Sequence, residues 1–419
     1  MIDLKLLRKN PELYKDSAKK RWNKVDIDAV LELDKAVVKL KQEVDELRTI
    51  KNKVSKEIPT LNNEEKAPKI AEMKQLWEDL KQKEEELRET QTKFNTEYYQ
   101  IPNLLDSTAA IWVTDEENVA EFFFGEKTKF DFEPKAHYEI WEKKWWIDIT
   151  KWSEVSWSRF WYLKWDLVFL QFAIVNFALS KLAEKGFSPV LPPVLVREKA
   201  MFWTGFFPAD EDWIYSVNPW EDDLFLVWTA EVPVTSYHTE EVINVDESIK
   251  YVWYSPCFRR EAWAAWKDTR WILRWHQFDK VEMVTFCKPE DSQKMHDEMV
   301  AIEEEIWQAL WIPYQKMNVC SWDLWNPAMK KYDLEAWMPW QDKYREVTSC
   351  SNIWDFQSRR LNIKYRDENW ELQFVHTLNW TVIALSRCLI AIIENYQDEN
   401  WDVIIPEVLR WFMWWKTKI

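Results

Sequence analysis

Glycine is almost missing from this chain: 3 of 419 residues, where average usage near 7% would place roughly 29. Tryptophan fills the gap at 32, and the two counts together resemble a normal glycine complement plus a few true tryptophans. Many of the tryptophans stand in turn-forming company, as in Pro219-Trp220-Glu221-Asp222, Pro339-Trp340-Gln341-Asp342, Asp367-Glu368-Asn369-Trp370 and Asn400-Trp401-Asp402. Glycine suits such places because it tolerates positive φ, which a bulky aromatic does not. The pattern is that of a gene whose UGA codons mean glycine and are rendered here as tryptophan. A deliberately substituted chain is the alternative, and the mass of the native peptide around position 263 separates the two.

Cysteine is also sparse. Cys257, Cys287, Cys320, Cys350 and Cys388 are odd in number and show no C-x-x-C spacing, which removes a disulfide framework and a zinc site and points to a reducing, cytoplasmic setting. The opening Met1-Ile2-Asp3-Leu4-Lys5 lacks the apolar core of a signal peptide, and nowhere do about 18 apolar residues run together; the expectation is a soluble protein. A net charge of −16 argues against a general nucleic-acid coat. Residues 1–100, however, carry 22 basic against 21 acidic side chains and leave 34 against 51 for the remainder. The first quarter is therefore the better candidate to face phosphate.

From Ile27 onward, apolar residues at 30, 33, 37, 40, 44, 47, 54 and 58 alternate steps of three and four, with Lys51 as one break, the mark of a heptad seam. After Ile58-Pro59-Thr60-Leu61-Asn62-Asn63 a second seam runs through Met73, Leu76, Leu80, Leu87 and Phe94. Two seams joined by a short turn predict an antiparallel helical hairpin. Periodicity alone fits a dimerisation or spacer coiled coil as well as an RNA-gripping arm.

Residues 258–282 contain the densest chemistry. Phe258-Arg259-Arg260-Glu261 leaves a strand, a loop carries Lys267, Arg270 and Arg274, and Trp275-His276-Gln277-Phe278-Asp279-Lys280-Val281-Glu282 returns as a second strand. Guanidinium groups neutralise phosphate oxygens through paired hydrogen bonds, so this is a nucleotide-site candidate; a hairpin with a solvated charged turn is the plain alternative.

The stretch resembles motif 2 of the class II aminoacyl-tRNA synthetases and is similar in detail to the bacterial-type seryl-tRNA synthetase family, with Trp263, Trp266 and Trp271 where that family has glycine. The resemblance spans nearly the whole chain. Ile101-Pro102-Asn103, Phe132-Glu133-Pro134-Lys135-Ala136-His137 and Ser156-Trp157-Ser158-Arg159-Phe160 match family stretches. A long helix at about 166–185 followed by Gly186-Phe187-Ser188-Pro189-Val190-Leu191-Pro192-Pro193 resembles the dimer-forming motif 1, and Phe374 through Arg387 resembles motif 3, with Trp380 at its glycine position.

What the resemblance implies is an α+β chain: an N-terminal antiparallel helical hairpin over 1–108 that binds tRNA, then a catalytic domain over 109–419 built on a mainly antiparallel sheet flanked by helices. It implies a homodimeric serine–tRNA ligase that uses ATP and Mg²⁺ to make seryl-adenylate, then charges tRNA(Ser), with tRNA(Sec) left open, and that engages no membrane or DNA. Carried over residue by residue, Arg259 and Arg387 are the catalytic cations. Arg259, Arg260, Glu261, Trp275, Phe278, Glu346, Val347, Thr348, Ser349 and Arg387 bind ATP, with Glu346 and Ser349 holding the metal. Thr229, Ala230, Glu231, Glu282 and Thr381 take the serine. Arg48, Lys51, Lys53, Lys74 and Lys81 are candidates for tRNA phosphates. Tryptophans at 263, 266 and 380 crowd a site where backbone passes close to ligand, and in a chain that truly contains them adenylate formation is expected to fail. A relative that activates an amino acid without charging tRNA, or an inert coiled-coil interaction protein, are the competing readings.

Overall fold

The computed structural model describes residues 1–111, 118–148, 151, 154–156, 159–208, 210–261 and 275–419. Ile2–Leu104 and Leu105–Ile419 form two compact units.

In the first unit, short helices α1 (Leu4–Lys9) and α2 (Pro11–Lys20) precede α3 (Ile27–Glu57) and α4 (Asn63–Tyr98). Asp26 and Asn62 start the two long helices, each side-chain oxygen accepting from two backbone amides of the first turn, which satisfies donors a helix cannot pair internally. The predicted seams are the ones that pack: Val30, Val37, Leu40, Val44 and Val54 on α3 are buried, as are Leu80 and Phe94 on α4. The chain turns where Pro59 enters a short 3₁₀ segment, Ile58–Thr60. Lys83–Glu43 at 2.9 Å and Arg48–Glu84 at 2.8 Å lace the outer edges, and Arg8 clamps the buried Asp34 with two hydrogen bonds of 2.6 and 2.7 Å.

The second unit is organised on an eight-stranded sheet. Its strands are β1 (Val119–Phe124), β2 (Ser188–Val190), β3 (Ile249–Phe258), β4 (Gln277–Cys287), β5 (Tyr314–Asn318), β6 (Lys330–Met338), β7 (Lys343–Trp354) and β8 (His376–Ala384). They lie in the order β1-β5-β6-β7-β8-β4-β3-β2. Every pairing is antiparallel except that of β2 with β3. Helices α5 (Asp166–Glu184), α6 (Ser292–Ala309) and α7 (Leu385–Asn395) contribute apolar faces, including Leu170, Ile174, Met299, Ile306, Leu389 and Ile392, to one core with the sheet. Each such side chain taken from water contributes about 1.5–3 kcal/mol. By length and hydropathy α5 could cross a membrane, but half of its apolar window is buried against the protein's own core.

Backbone geometry bears on the tryptophan count. Among the described residues, fifteen that are not glycine have φ between +48° and +69°, and nine of them are tryptophan: 22, 145, 165, 311, 354, 370, 401, 414 and 415. The three glycines share that habit, with φ of +70°, +86° and +102°. At Gly205, which ends the helix Glu198–Thr204, an added Cβ would also stand 2.8 Å from Pro327 Cγ.

Candidate active site

Strands β3 and β4 pair from Ile249 opposite Phe286 to Phe258 opposite Gln277. Past the last pair the Arg259 amide still donates to the His276 carbonyl at 2.8 Å, and the His276 ring stacks on Phe160 at 5.3 Å. The hairpin thus delivers Arg259 and Trp275 to one place. Period-two alternation sets Phe278, Lys280 and Glu282 on one face of β4, opposite Cys257, Ser255 and Trp253 of β3. From Phe278 to Glu282 that face runs about 13 Å at strand rise, a scale suited to a ligand with distinct ends.

Beside β4 lies β8, and beside that β7. A register shift falls between Glu346 and Thr348 where β7 meets β6, and another between Thr381 and Ile383 where β8 meets β4. Each extra residue is a β-bulge, which re-aims the side chains around it. Residues three apart in a regular strand face opposite ways, yet Glu346 and Ser349 both line the cavity because Val347 is the inserted residue. β8 ends at Ala384 and α7 begins at Leu385, so Arg387 is fixed in the first turn of a buried helix at the cavity's edge.

The cavity has a volume of 270 Å³ and is lined by Arg259, Glu261, Trp275, Phe278, Glu346, Val347, Thr348, Ser349, Thr381 and Arg387 from the sequence assignment, joined by Lys280, Ala384 and Ser386. Its walls carry opposed charge. Arg387 reaches the Glu346 carboxylate at 3.2 Å and donates to the Glu346 carbonyl at 2.7 Å. Burial alone would raise the Glu346 carboxyl, but Arg387, Lys331 and Arg259 outweigh it and hold it below its ordinary value. Arg259 lies between aromatic faces, 3.7 Å from the Trp228 ring and 5.0 Å from that of Phe278. Among the described residues its Nε has no hydrogen-bond partner, and burial lowers its pKa from the usual arginine value. A desolvated guanidinium with an unused donor is primed for an anion.

Of the residues assigned to the amino acid, Thr381 lines the cavity, while Thr229, Ala230, Glu231 and Glu282 are buried and not among the described residues that line it. The Thr229 hydroxyl donates to Glu282 Oε1 at 2.7 Å, and the Trp253 indole N–H reaches Glu282 Oε2 at 3.3 Å. Glu231, on the short helix Glu231–Thr235, accepts from Gln357 Nε2 at 2.6 Å. Burial pushes its carboxyl up to about 7, against the lowering effect of Gln357 and with a further push from the Glu282 charge. Ala230 is fully buried between them.

Arg260 lies elsewhere: it lines a separate hollow with Glu211, Asp212 and Asp222. Trp380 turns away from the cavity into the core, 2% exposed, so the crowding expected of it is absent: its neighbour Thr381 holds the cavity-facing position. His376 is buried and held down to about 3 by desolvation and then by Arg359. Trp157, Ser158, Trp263, Trp266, Lys267, Arg270, Trp271 and Arg274 lie outside the described residues. Among the described residues, no group of three His, Cys, Asp or Glu side chains is placed to hold a metal ion. Sequence reasoning missed Lys280, although alternation with Phe278 and Glu282 marks it. It also missed Trp228, adjacent to Thr229, and Gln357, for which the sequence carries no signal.

Comparison with known proteins follows the same division of the chain. Residues 1–105 match the family described as the seryl-tRNA synthetase N-terminal domain, and residues 215–396 match the tRNA synthetase class II core domain (G, H, P, S and T). The serine–tRNA ligase of Thermodesulfovibrio yellowstonii is 41% identical over 403 residues, 94% of each chain, and that of Dictyoglomus turgidum is 40% identical over 400 residues, again 94% of each. The crystal structure of seryl-tRNA synthetase from Pyrococcus horikoshii complexed with ATP superposes with a TM-score of 0.89 at 37% identity, covering 100% of this chain and 99% of that one. The cytoplasmic enzyme of Naegleria fowleri in complex with AMP gives 0.83 at 32%, covering 98% and 95%. Identity of this degree, sustained through the hairpin and the catalytic sheet alike, means that this chain belongs to the seryl-tRNA synthetase family.

Proposed function

We propose that the protein is a serine–tRNA ligase that activates L-serine with ATP and transfers the seryl group to tRNA(Ser). The observation that carries the reading is the cavity in which two arginines, a carboxylate and an aromatic ring from three separate motifs converge, tied through its wall residue Lys280 to the Thr229–Glu282 pair. In the first step the serine carboxylate attacks the α-phosphate in line and pyrophosphate leaves. This chemistry needs positioning and charge neutralisation rather than a protein nucleophile.

Arg259 bridges the α-phosphate and the serine carboxylate, using the Nε donor left without a partner among the described residues. Arg387 covers the other face of the nucleotide near the γ-phosphate, Phe278 stacks on the adenine ring and Glu261 reads its amino group. Trp275, Val347 and Thr348 complete the wall; Arg260 contributes from outside the cavity. Glu282 pairs with the serine ammonium, while Thr229, Ala230, Glu231 and Thr381 frame the hydroxyl. An ionised Glu346 and the Ser349 hydroxyl on one face suit Mg²⁺, which keeps its waters and phosphate oxygens and takes only one or two protein oxygens. Bound there, Mg²⁺ would neutralise phosphate charge.

The hairpin of residues 1–108 grips the tRNA, with Lys53, Lys74 and Lys81 on its faces; Arg48 is engaged by Glu84, and Lys51 lies 5.7 Å from the Trp77 ring centroid. Whether tRNA(Sec) is also charged depends on the RNA. Exposed Phe169, Phe172 and Leu191 suit burial in a homodimer, and five free, buried cysteines suit the cytoplasm. Serine-dependent ATP–pyrophosphate exchange, followed by charging of a serine tRNA, tests the proposal; exchange with threonine or alanine but not serine overturns it. Exchange without charging would favour an acceptor-free relative, against which the N-terminal match over residues 1–105 counts.

A further inference from the structure

Lys280 lines the cavity and has no assigned role. Its ammonium donates to Thr229 Oγ1 at 3.0 Å, to Thr381 Oγ1 at 3.5 Å and to Glu282 Oε1. The side chains of Lys280 and Glu282 are 6% and 4% exposed. Thr229 donates to the same Glu282 oxygen, so one lysine nitrogen joins three side chains that the proposed function gives to the amino acid.

A lysine ammonium has three donors, and here each has a protein acceptor. Lys280 therefore has no hydrogen left for a phosphate, unlike Arg259, whose Nε has no partner among the described residues. A buried carboxylate without a cation is strongly disfavoured. Glu231 adds a second carboxyl on the neighbouring helix, close enough that the Glu282 charge raises it. The counter-charge has to come from the same face of the sheet, and alternation along β4 places Lys280 there, opposite Ser255 and Ala384.

We propose that Lys280 is a positioning residue for the amino acid: it ties Glu282, Thr229 and Thr381 into one preset unit, so that the incoming ammonium meets an aimed carboxylate. The inference rests on the serine–tRNA ligase reading. It assigns Lys280 to the amino-acid end of the site and excludes it from the nucleotide end.

The test is pyrophosphate exchange with Lys280→Met, close in shape but uncharged. The expected result is a rise of tenfold or more in the KM for serine, with the KM for ATP within twofold of wild type and kcat reduced less than fivefold. In a Thr229→Val background the same change should add less than its single effect, because contacting residues of one network do not act independently. An unchanged serine KM, equal rises for serine and ATP, or full additivity with Thr229→Val overturns the proposal. Lys280→Gln is the second variant; if neither binds ATP as wild type does, Lys280 is a folding residue and the proposal is wrong. Absence of serine exchange in the wild-type enzyme would instead refute the serine–tRNA ligase reading itself.

Discussion

Replacing tryptophan by glycine should make this protein more stable. Trp145, Trp165 and Trp370 have φ of +56°, +58° and +62°, and their side chains are 71%, 68% and 75% exposed, so little burial is lost on removing them. Trp165 combines its φ with ψ of −138°, a mirror image of extended backbone that glycine alone adopts readily. A side chain in the left-handed region costs roughly 1–2 kcal/mol, offset in part by about 0.5–1 kcal/mol for the extra freedom glycine has when unfolded. Each change should therefore gain about 0.5–1 kcal/mol, and the triple variant about 1.5–3 kcal/mol if distant sites add. Summed over nine such tryptophans, the net difference from glycine reaches roughly 5–9 kcal/mol, comparable with a typical net stability of about 5–15 kcal/mol. A chain holding all nine would stand at the edge of folding, whereas one with glycine there would not. Urea denaturation of the parent and the Trp145→Gly, Trp165→Gly, Trp370→Gly triple variant measures the difference, read as a shift in midpoint at constant slope. A triple variant no more stable than its parent would refute the assignment of these positions to glycine.

Three other outcomes are expected. Arg259→Met should lower serine-dependent pyrophosphate exchange by about 10²–10³, with Arg387→Met falling in the same assay. For Glu231, whose folded pKa is raised from 4.5 to about 7, the stability contribution is fully present below about pH 4.5 and lost as pH rises through about 7. Glu231→Gln should abolish that decline, on the order of 3 kcal/mol by linkage, seen as the pH-dependent difference between variant and wild type in urea titrations. Lys74→Glu combined with Lys81→Glu should weaken tRNA binding and flatten its dependence on salt, measured by filter binding at several salt concentrations; an unaltered slope would place the RNA elsewhere.

The hairpin was legible because its seam is local: a heptad repeat and a proline turn lie within one stretch of sequence, and the helices begin at Asp26 and Asn62 as capping chemistry dictates. The ends of the motif 2 hairpin were legible for a similar reason, since alternation places Phe278 and Glu282 on one face. Other features depend on pairing between distant strands. Nothing in the residues of β7 announces that Val347 is an inserted residue, and without that bulge Glu346 and Ser349 could not share a wall. Gln357 meets Glu231 only through the packing of two helices far apart in the chain. The motif resemblance sets Trp380 at a ligand-facing turn, but the strand continues through it and its ring is buried in the core.

The paired bulges at Val347 and Val382 also govern which length changes the family can accept. Removing Val347 would take out the inserted residue itself and leave a regular ladder in which Glu346 and Ser349 stand two apart, still on one face. Adding one more residue there, without a second bulge to absorb it, would turn every side chain on one side of the insertion to its opposite face, sending Glu346 away from Ser349. Insertions here are thus filtered by odd and even number rather than by size, whereas loss of the inserted residue leaves the corner standing.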